Sequence, residues 1–514
     1  MLAAAASAPA SADERVSHFL RLHLESGLPP YALGDAKASR LWAAVQAFYT
    51  RRDCRAAWGA RTVEVQGLLQ RAADRGLDPA GYRLPGPPRD DDDRARADAQ
   101  LSYALAHYAS DLAEGRFDPH GATYYWSVAP VSIDLTAFLE EAAAAPRVVD
   151  VLTRLEPDHD GYRSLVRALA RYRSLAAAGG WPSVTTAASL KPGTRGPAVV
   201  ALRRRLAASG ELPLALDANA NTFDAPLADA LRRFQSRHGL EADGVAGKDT
   251  VAALNVPVDA RIRQIELSLE RWRWLPRPLG RRWIAVNIPT FMLYGFDGGR
   301  PALAMRVITG RTESPTPVFS QPMQEVIFRP YWNVPPGIAA NEIVPAVLRR
   351  PDYLARNGLE VVRGDGGDVS FRQRPGPGNS LGLVKFVLPN PFNVYLHDTP
   401  HDQLFARSRR DFSHGCMRVE RPAELAQWVL APAPEWTPRA VAAAMRSGDE
   451  RHVPLPQPVP VYVVYMTAWA TSDGSVSFGP DLYGHDAIHD TLLARARAVE
   501  PAAAPVLASG GSPE

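Results

Sequence analysis

The sequence predicts a multidomain α+β protein: an α-helical N-terminal scaffold, a small three-helix module and a β-rich C-terminal domain carrying an insertion. Three observations support this. The chain has 514 residues, enough for three or four domains. Apolar residues recur at helical spacing as far as Trp181, where Gly179-Gly180-Trp181-Pro182 reads as a linker. From Arg282 the pattern changes to short β-branched runs bounded by Pro and Gly. Hydrophobic residues make up 46% of the chain, so each part has material for a core. A net charge of +3 gives no case for nucleic acid, although a mildly basic surface suits an anionic polymer. No run of 18 apolar residues exists, so no transmembrane helix is expected.

Residues 1–12 read MLAAAASAPASA and end in Ala10-Ser11-Ala12. Two readings stand side by side, a residual export signal with its small-residue cleavage site and a disordered Ala-rich segment. Residues 13–185 are expected to form the helical scaffold. Leu41, Trp42, Val45, Phe48 and Tyr49 share one face, and Leu101, Leu105, Tyr108 and Leu112 share another. Pro85-Gly86-Pro87-Pro88 and Asp90–Asp93 between them predict a solvated loop. The aspartates are read as surface charge rather than a calcium loop, because Ala95 stands where an EF-hand needs Gly. Cys54, a lone thiol, is expected in the core, unpaired with Cys416. Trp272, Trp274 and Trp283 suggest a carbohydrate platform, but interdomain core is the preferred reading.

Residues 186–258 form the expected three-helix module. Pro197 suits the first turn of its first helix, with Val199, Leu202 and Leu206 facing inward. Leu227, Leu231 and Phe234 line a second helix that Gly239 stops, and a third ends near Leu254. Gly247-Lys248-Asp249 falls short of a phosphate-binding loop, since Ala242 and Asp249 replace its Gly and Ser/Thr. The segments LKPGTRGPAVVALRRRLAASG and FDAPLADALRRFQSRHGLEADGVAGKDTVAALN resemble the small peptidoglycan-binding domain of cell-wall enzymes.

Residues 259–500 are expected to form the β-rich domain, with 501–514 a disordered tail. Strands are expected at Trp283–Ile288, Ala304–Gly310, Gln324–Phe328, Val384–Leu388, Asn393–His397 and Pro460–Thr467, giving a sandwich or barrel. Residues 331–380 break the rhythm with a helical stretch from Ala339 to Leu354 and read as an inserted lid. In the strand ending at His397, Tyr395 and His397 share one face. A loop of about a dozen residues then returns at Ser413-His414-Gly415-Cys416. A thiol, an upstream histidine and a glycine before the thiol are three parts of an acyl-transfer site. The helix opened by Pro422, with Leu425, Trp428 and Val429 on its apolar face, is expected to favour thiolate through its dipole. His397 and His414 both qualify as the base, and His414 is read as shaping the pocket because it lies two residues from Cys416. Pro400 between His397 and His401 argues against a helical metal pair, so no metal or cofactor is expected.

These residues resemble the L,D-transpeptidase family with its YkuD-type catalytic domain, specifically the large periplasmic YcbB-like subgroup. The wider family places a His, a loop, then Ser/Thr-His-Gly-Cys; here His397 is followed by fifteen residues and Ser413-His414-Gly415-Cys416. The subgroup resemblance includes Ala285–Pro289, Thr316–Ser320, Pro330–Pro336 and Gly376–Gly382, and upstream Phe48-Tyr49, Arg75–Pro79 and Tyr108–Leu112. It implies that Cys416 attacks the L-to-D peptide bond of a peptidoglycan tetrapeptide stem, releasing D-Ala. It implies His397 as base, oriented by the carbonyl of Asp398, with an oxyanion held by amides near Gly415 and Cys416. It implies transfer to a diaminopimelate amine as a 3→3 cross-link, acylation by carbapenems, a periplasmic location and a role in cell shape. Many members have Asn where Arg418 stands, and Arg418 is read as a contact for the anionic stem. Ser413, Tyr331, Trp332 and Tyr395 complete the expected substrate contacts. The resemblance leaves room for other cell-wall synthesis proteins as partners. Rival readings are an L,D-carboxypeptidase using water as acceptor, an inactive wall-binding scaffold and a general cysteine protease.

Overall fold

The computed structural model describes residues 11–26, 36–119, 126–128, 131–213, 220–364, 368–471 and 474–498. Of the expected signal-like segment only Ser11 and Ala12 are described, and 501–514 lie outside the described residues. Ser11 starts α1 (Ala12–Glu25) with a capping box: its hydroxyl accepts from Glu14 N, and the Glu14 carboxylate accepts from Ser11 N.

The scaffold continues through α2 (Ala36–Arg51), α3 (Thr62–Gln70), α4 (Asp91–Glu114), α5 (Leu135–Ala144), α6 (Val148–Thr153) and α7 (Asp160–Ala177). The faces expected on α2 and α4 are both buried. From Leu101 to Ala113, α4 is buried on almost every side, as befits a central helix. The aspartate run is corrected by the structure: Asp90 caps α4, accepting from Asp93 N at 2.8 Å, and Asp91–Asp93 are its first turn. Carboxylates there are favoured by the helix dipole, and Arg15 and His23 of α1 pair with Asp91 and Asp92. After α4, the two-residue strand β1 (Trp126–Ser127) leaves the scaffold.

The three-helix module comprises α8 (Pro197–Ala208), α9 (Ala225–Arg237) and α10 (Lys248–Leu254) around Val199, Leu202, Leu206, Leu227, Leu231, Phe234 and Leu254. Helix α11 (Val258–Arg273) then packs against α7. Trp272 and Trp283 share one core with Tyr162, Leu169 and Tyr462, while Trp274 joins the core of the sheet. All three tryptophans are interdomain core, not an open platform.

The C-terminal sheet contains β2 (Arg282–Asn287), β3 (Met292–Asp297), β4 (Arg300–Gly310), β5 (Val318–Phe328), β9 (Val384–Val387), β10 (Leu396–His397), β11 (Asp411–Ser413), β12 (Met417–Val419) and β13 (Arg451–Val464). Its order is β1-β5-β13-β2-β3-β4-β12-β10-β9, with β11 beside β4. β9 also pairs with β5, closing the path into a barrel-like circuit and leaving no open edge there. β1 joins in parallel, Trp126 opposite Val318, so the scaffold extends the C-terminal sheet. The insertion forms its own sheet, in which β8 (Val369–Gln373) lies between β6 (Trp332–Asn333) and β7 (Leu359–Arg363), together with a helical stretch over 336–349.

Two expectations are corrected. The strand expected over Asn393–His397 is reduced to Leu396–His397. Asn390 Oδ1 accepts from Phe392 N and Val394 N, and Asn393 sits at φ +54°, so this stretch is a side-chain-pinned turn. Cys416 does not precede a helix directly: β12 intervenes, and the helix Pro422–Leu430 begins beyond it, out of reach of a dipole effect.

Candidate active site

Strands β12, β10 and β9 lie side by side, and their register assembles the site. β10 runs parallel to β12 with His397 opposite Arg418, and antiparallel to β9 with His397 opposite Lys385. Met417 N donates to Tyr395 O at 3.0 Å, which carries the pairing one step further and sets Cys416 beside Tyr395. Alternation puts Tyr395, His397, Cys416 and Arg418 on one face, while Leu396 and Met417 point into the core. All four line one cavity of about 870 Å³, closed on its far side by Tyr331, Trp332 and the helical part of the insertion.

His397 is buried, and its Nδ1 lies 2.5 Å from the carbonyl oxygen of Asp398. A carbonyl only accepts, so Nδ1 carries the hydrogen and Nε2 keeps its lone pair. Burial, reinforced by the flanking Arg418 and Lys385 cations, pushes the imidazole down to about 3. Burial likewise raises the Cys416 thiol, against lowering contributions from a Tyr395 N–H and hydroxyl contact and from Lys385 and Arg418. The resting pair is therefore neutral thiol and neutral imidazole, not the thiolate expected from a nearby helix. Lys385 sits 4.1 Å over the Tyr395 ring, and the Tyr395 and His397 rings meet edge to face at 5.6 Å. Arg418 forms no ion pair among the described residues, and desolvation lowers it.

The turn leading into Cys416 is pinned from behind. Ser413 Oγ donates to Cys416 O at 2.5 Å and accepts from Gly415 N at 3.2 Å, so the Ser413 hydroxyl is consumed within the turn. Gly415 takes φ +112°, and a Cβ there would meet nothing closer than 3.6 Å; backbone conformation rather than crowding demands glycine. Its N–H is taken by Ser413, whereas the amides of His414 and Cys416 have no acceptor among the described residues. Thr316 Oγ1 donates to Gly415 O at 2.7 Å and accepts from Gly310 N at 2.8 Å. Tyr483 OH in turn donates to Gly310 O and accepts from Thr316 N. The Asp398 carboxylate accepts from Leu383 N and Thr399 N, each at 2.7 Å, and a Cβ on Gly382 would lie 2.4 Å from it.

Of the residues singled out in the sequence, Cys416, His397, Tyr395, Arg418, His414, Ser413, Tyr331 and Trp332 reach the cavity. Asp398 acts from behind His397. His414 turns to the insertion, its Nε2 2.8 Å from Glu342 Oε1. Lys385, Thr316, Tyr483 and Glu342 were not foreseen. Lys385 left one trace, a lone cation between the buried Val384 and Phe386.

Three family models match the chain. Residues 281–463 match the L,D-transpeptidase catalytic domain (YkuD), 43–169 a scaffold domain, and 195–254 the "Putative peptidoglycan binding domain". A curated Haemophilus influenzae protein named "Putative L,D-transpeptidase" is 30% identical over 239 residues, covering 44% of this chain and 48% of that protein. The match thus spans about half of that relative. A crystal structure of the L,D-transpeptidase from Xylanimonas cellulosilytica covers 55% of this chain and 99% of its own, at 17% identity and TM-score 0.19. A fused Zn-dependent amidase/peptidase/peptidoglycan-binding domain-containing protein from Clostridium acetobutylicum covers 54% and 99%, at 13% identity and TM-score 0.17. Superpositions this loose locate no side chain. It is the sequence matches that liken residues 281–463 to the YkuD-type L,D-transpeptidase catalytic domain, behind segments similar to a scaffold domain and to the peptidoglycan-binding module.

Proposed function

We propose that this protein is a periplasmic cysteine L,D-transpeptidase that forms 3→3 cross-links between peptidoglycan tetrapeptide stems. The observation that supports it best is that Cys416 lines the same cavity as a neutral, Nδ1-anchored His397 held on the strand beside it. His397 Nε2 takes the thiol proton as Sγ attacks the carbonyl of the L-to-D bond. Lys385 and Arg418 stabilise the thiolate character that develops, and the N–H groups of Cys416 and His414 receive the oxyanion. Collapse breaks the C–N bond, the protonated His397 gives its proton to the departing D-Ala amine, and a thioester on Cys416 remains. Transfer of the acyl group to a side-chain amine of a second stem completes the cross-link. Arg418 holds a stem carboxylate, and residues 331–380 act as a lid over the bound stem. Ser413, whose hydroxyl is committed to the turn, positions Cys416.

The test is intact-protein mass spectrometry after incubation with a carbapenem, on wild type and Cys416→Ala. We expect one stoichiometric adduct on the wild type and none on the variant. A folded wild type that stays unmodified would speak for a wall-binding scaffold instead. Product mass spectrometry then separates the transpeptidase from the L,D-carboxypeptidase: cross-linked dimers for the first, shortened monomers for the second.

A further inference from the structure

The charges lining the cavity are unevenly distributed. Arg311, Lys385 and Arg418 are cationic, and Glu342 is the one carboxylate among the lining residues. Glu342 belongs to the insertion, not to the β-rich sheet. It sits in a π-helical turn (Ala339–Ile343) interrupting the helical stretch over 336–349, a local widening that often marks functional positions. That turn passes directly over the nucleophile loop, because Glu342 Oε1 meets His414 Nε2 at 2.8 Å, two residues before Cys416. The carboxylate only accepts, so Nε2 of a neutral His414 carries the hydrogen and Nδ1 keeps its lone pair. Nδ1 has no partner among the described residues. Both side chains are partly open to solvent, Glu342 at 50% and His414 at 34% exposure, so the pair lines the mouth of the cavity.

We propose that Glu342 and His414 form the acceptor subsite, which receives a cationic primary amine. This rests on the reading of Cys416 as an acylated nucleophile. An ammonium approaching the thioester meets three cations that repel it, and the Glu342 carboxylate supplies the compensating charge. The carboxylate has a second oxygen free of His414 to hold the ammonium. His414 Nδ1 takes one proton, which passes to solvent, leaving a neutral amine. The amine nitrogen attacks the thioester carbonyl, a C–N bond forms and the C–S bond breaks. The second nitrogen proton passes by way of His397 to the departing sulfur. One ammonium and one thioester thus give one amide, one thiol and one released proton. Donor chemistry is left to His397 on the strand side, so the two histidines serve opposite faces of one cavity.

The test uses the full chain, acylated by a tetrapeptide donor and offered two acceptors separately against water. One is a strongly basic primary amine, cationic near neutral pH; the other is a fluorinated primary amine that is neutral there. The partition of a single acyl-enzyme between amide and hydrolysis product does not depend on how fast that acyl-enzyme formed. For Glu342→Gln we expect the amide-to-hydrolysis ratio to fall about fivefold with the cationic amine, the weight of one partly exposed ion pair. With the neutral amine it should hold, and Glu342→Asp should recover much of the loss. An equal fall with both amines would reveal a lid that is merely misplaced and overturn the proposal, as would no fall with either. A wild type that forms no thioester at all would instead overturn the reading of Cys416, and this subsite with it.

Discussion

Thr316 shows how few atoms hold the turn leading into Cys416. Its hydroxyl bridges Gly310 N and Gly415 O, and Thr316, Gly310 and Gly415 are all buried. Thr316→Val keeps the shape and strands both backbone groups without a partner. Leaving such groups unsatisfied costs roughly 1–3 kcal/mol. We expect a lower Tm and slower acylation of a Cys416 that still reacts with a small thiol reagent, with Thr316→Ser close to wild type. A Val variant with wild-type acylation would show that Ser413 alone holds the turn. Tyr483, which braces Thr316, lies beyond the matched catalytic segment, so the C-terminal residues are part of the site's support.

At the scale of elements, the insertion differs from the sheet it covers. Among the described residues its own core has three buried apolar side chains, Val334, Ile343 and Leu359, while the barrel-like sheet has dozens. It also carries Val344, Leu348, Val361 and Val369 on its surface. Segments with small cores open at lower free energy than the global unfolding. Amide exchange over 336–364 and 368–373 should therefore run well ahead of exchange in β2, β5 and β13, and slow once Cys416 is acylated. Equal protection in both states would argue against a moving lid. The helical stretch was legible from its spacing. The β7–β8 hairpin was not, because Leu359–Arg363 and Val369–Gln373 are half-exposed and charged, and pair only within a separate small sheet. Asn393–His397 failed as a strand for a local reason, the Asn390 side chain replacing the ladder.

Across the whole molecule, burial of histidines sets the response to acid. His397 is held down to about 3, and His159 and His485 to about 4, by desolvation, against an ordinary value near 6.5. His159 lies between scaffold and sheet, stacked on Trp272 and edge-on to Trp283. Between those values and about 6.5 the unfolded chain binds protons that the folded chain does not, so stability rises with pH across that window. It is fully present above about 6.5 and drains away as pH falls toward 4. Thermal unfolding at pH 7.5 and pH 5 should show a markedly lower Tm in acid, with proton uptake on unfolding at pH 5. A Tm that is level between the two would mean these imidazoles titrate normally in the folded state.

The sequence by itself determined the helical faces of α2 and α4, the three-helix module, several strands of the sheet, and which thiol and imidazoles to look for, Cys416 with His397 and His414. These rest on periodicity and on motifs whose residues lie close along the chain. Tertiary structure alone decided the closure of the sheet through β9 and β5, the placing of His397 between Arg418 and Lys385, and the meeting of Glu342 with His414. These meetings depend on strand register and on the packing of the insertion, which no local pattern in the sequence records. Burial then reversed the charge state that the motif suggested. A solvated thiol and imidazole can share an ion pair, but the same two groups, desolvated beside two cations, rest neutral.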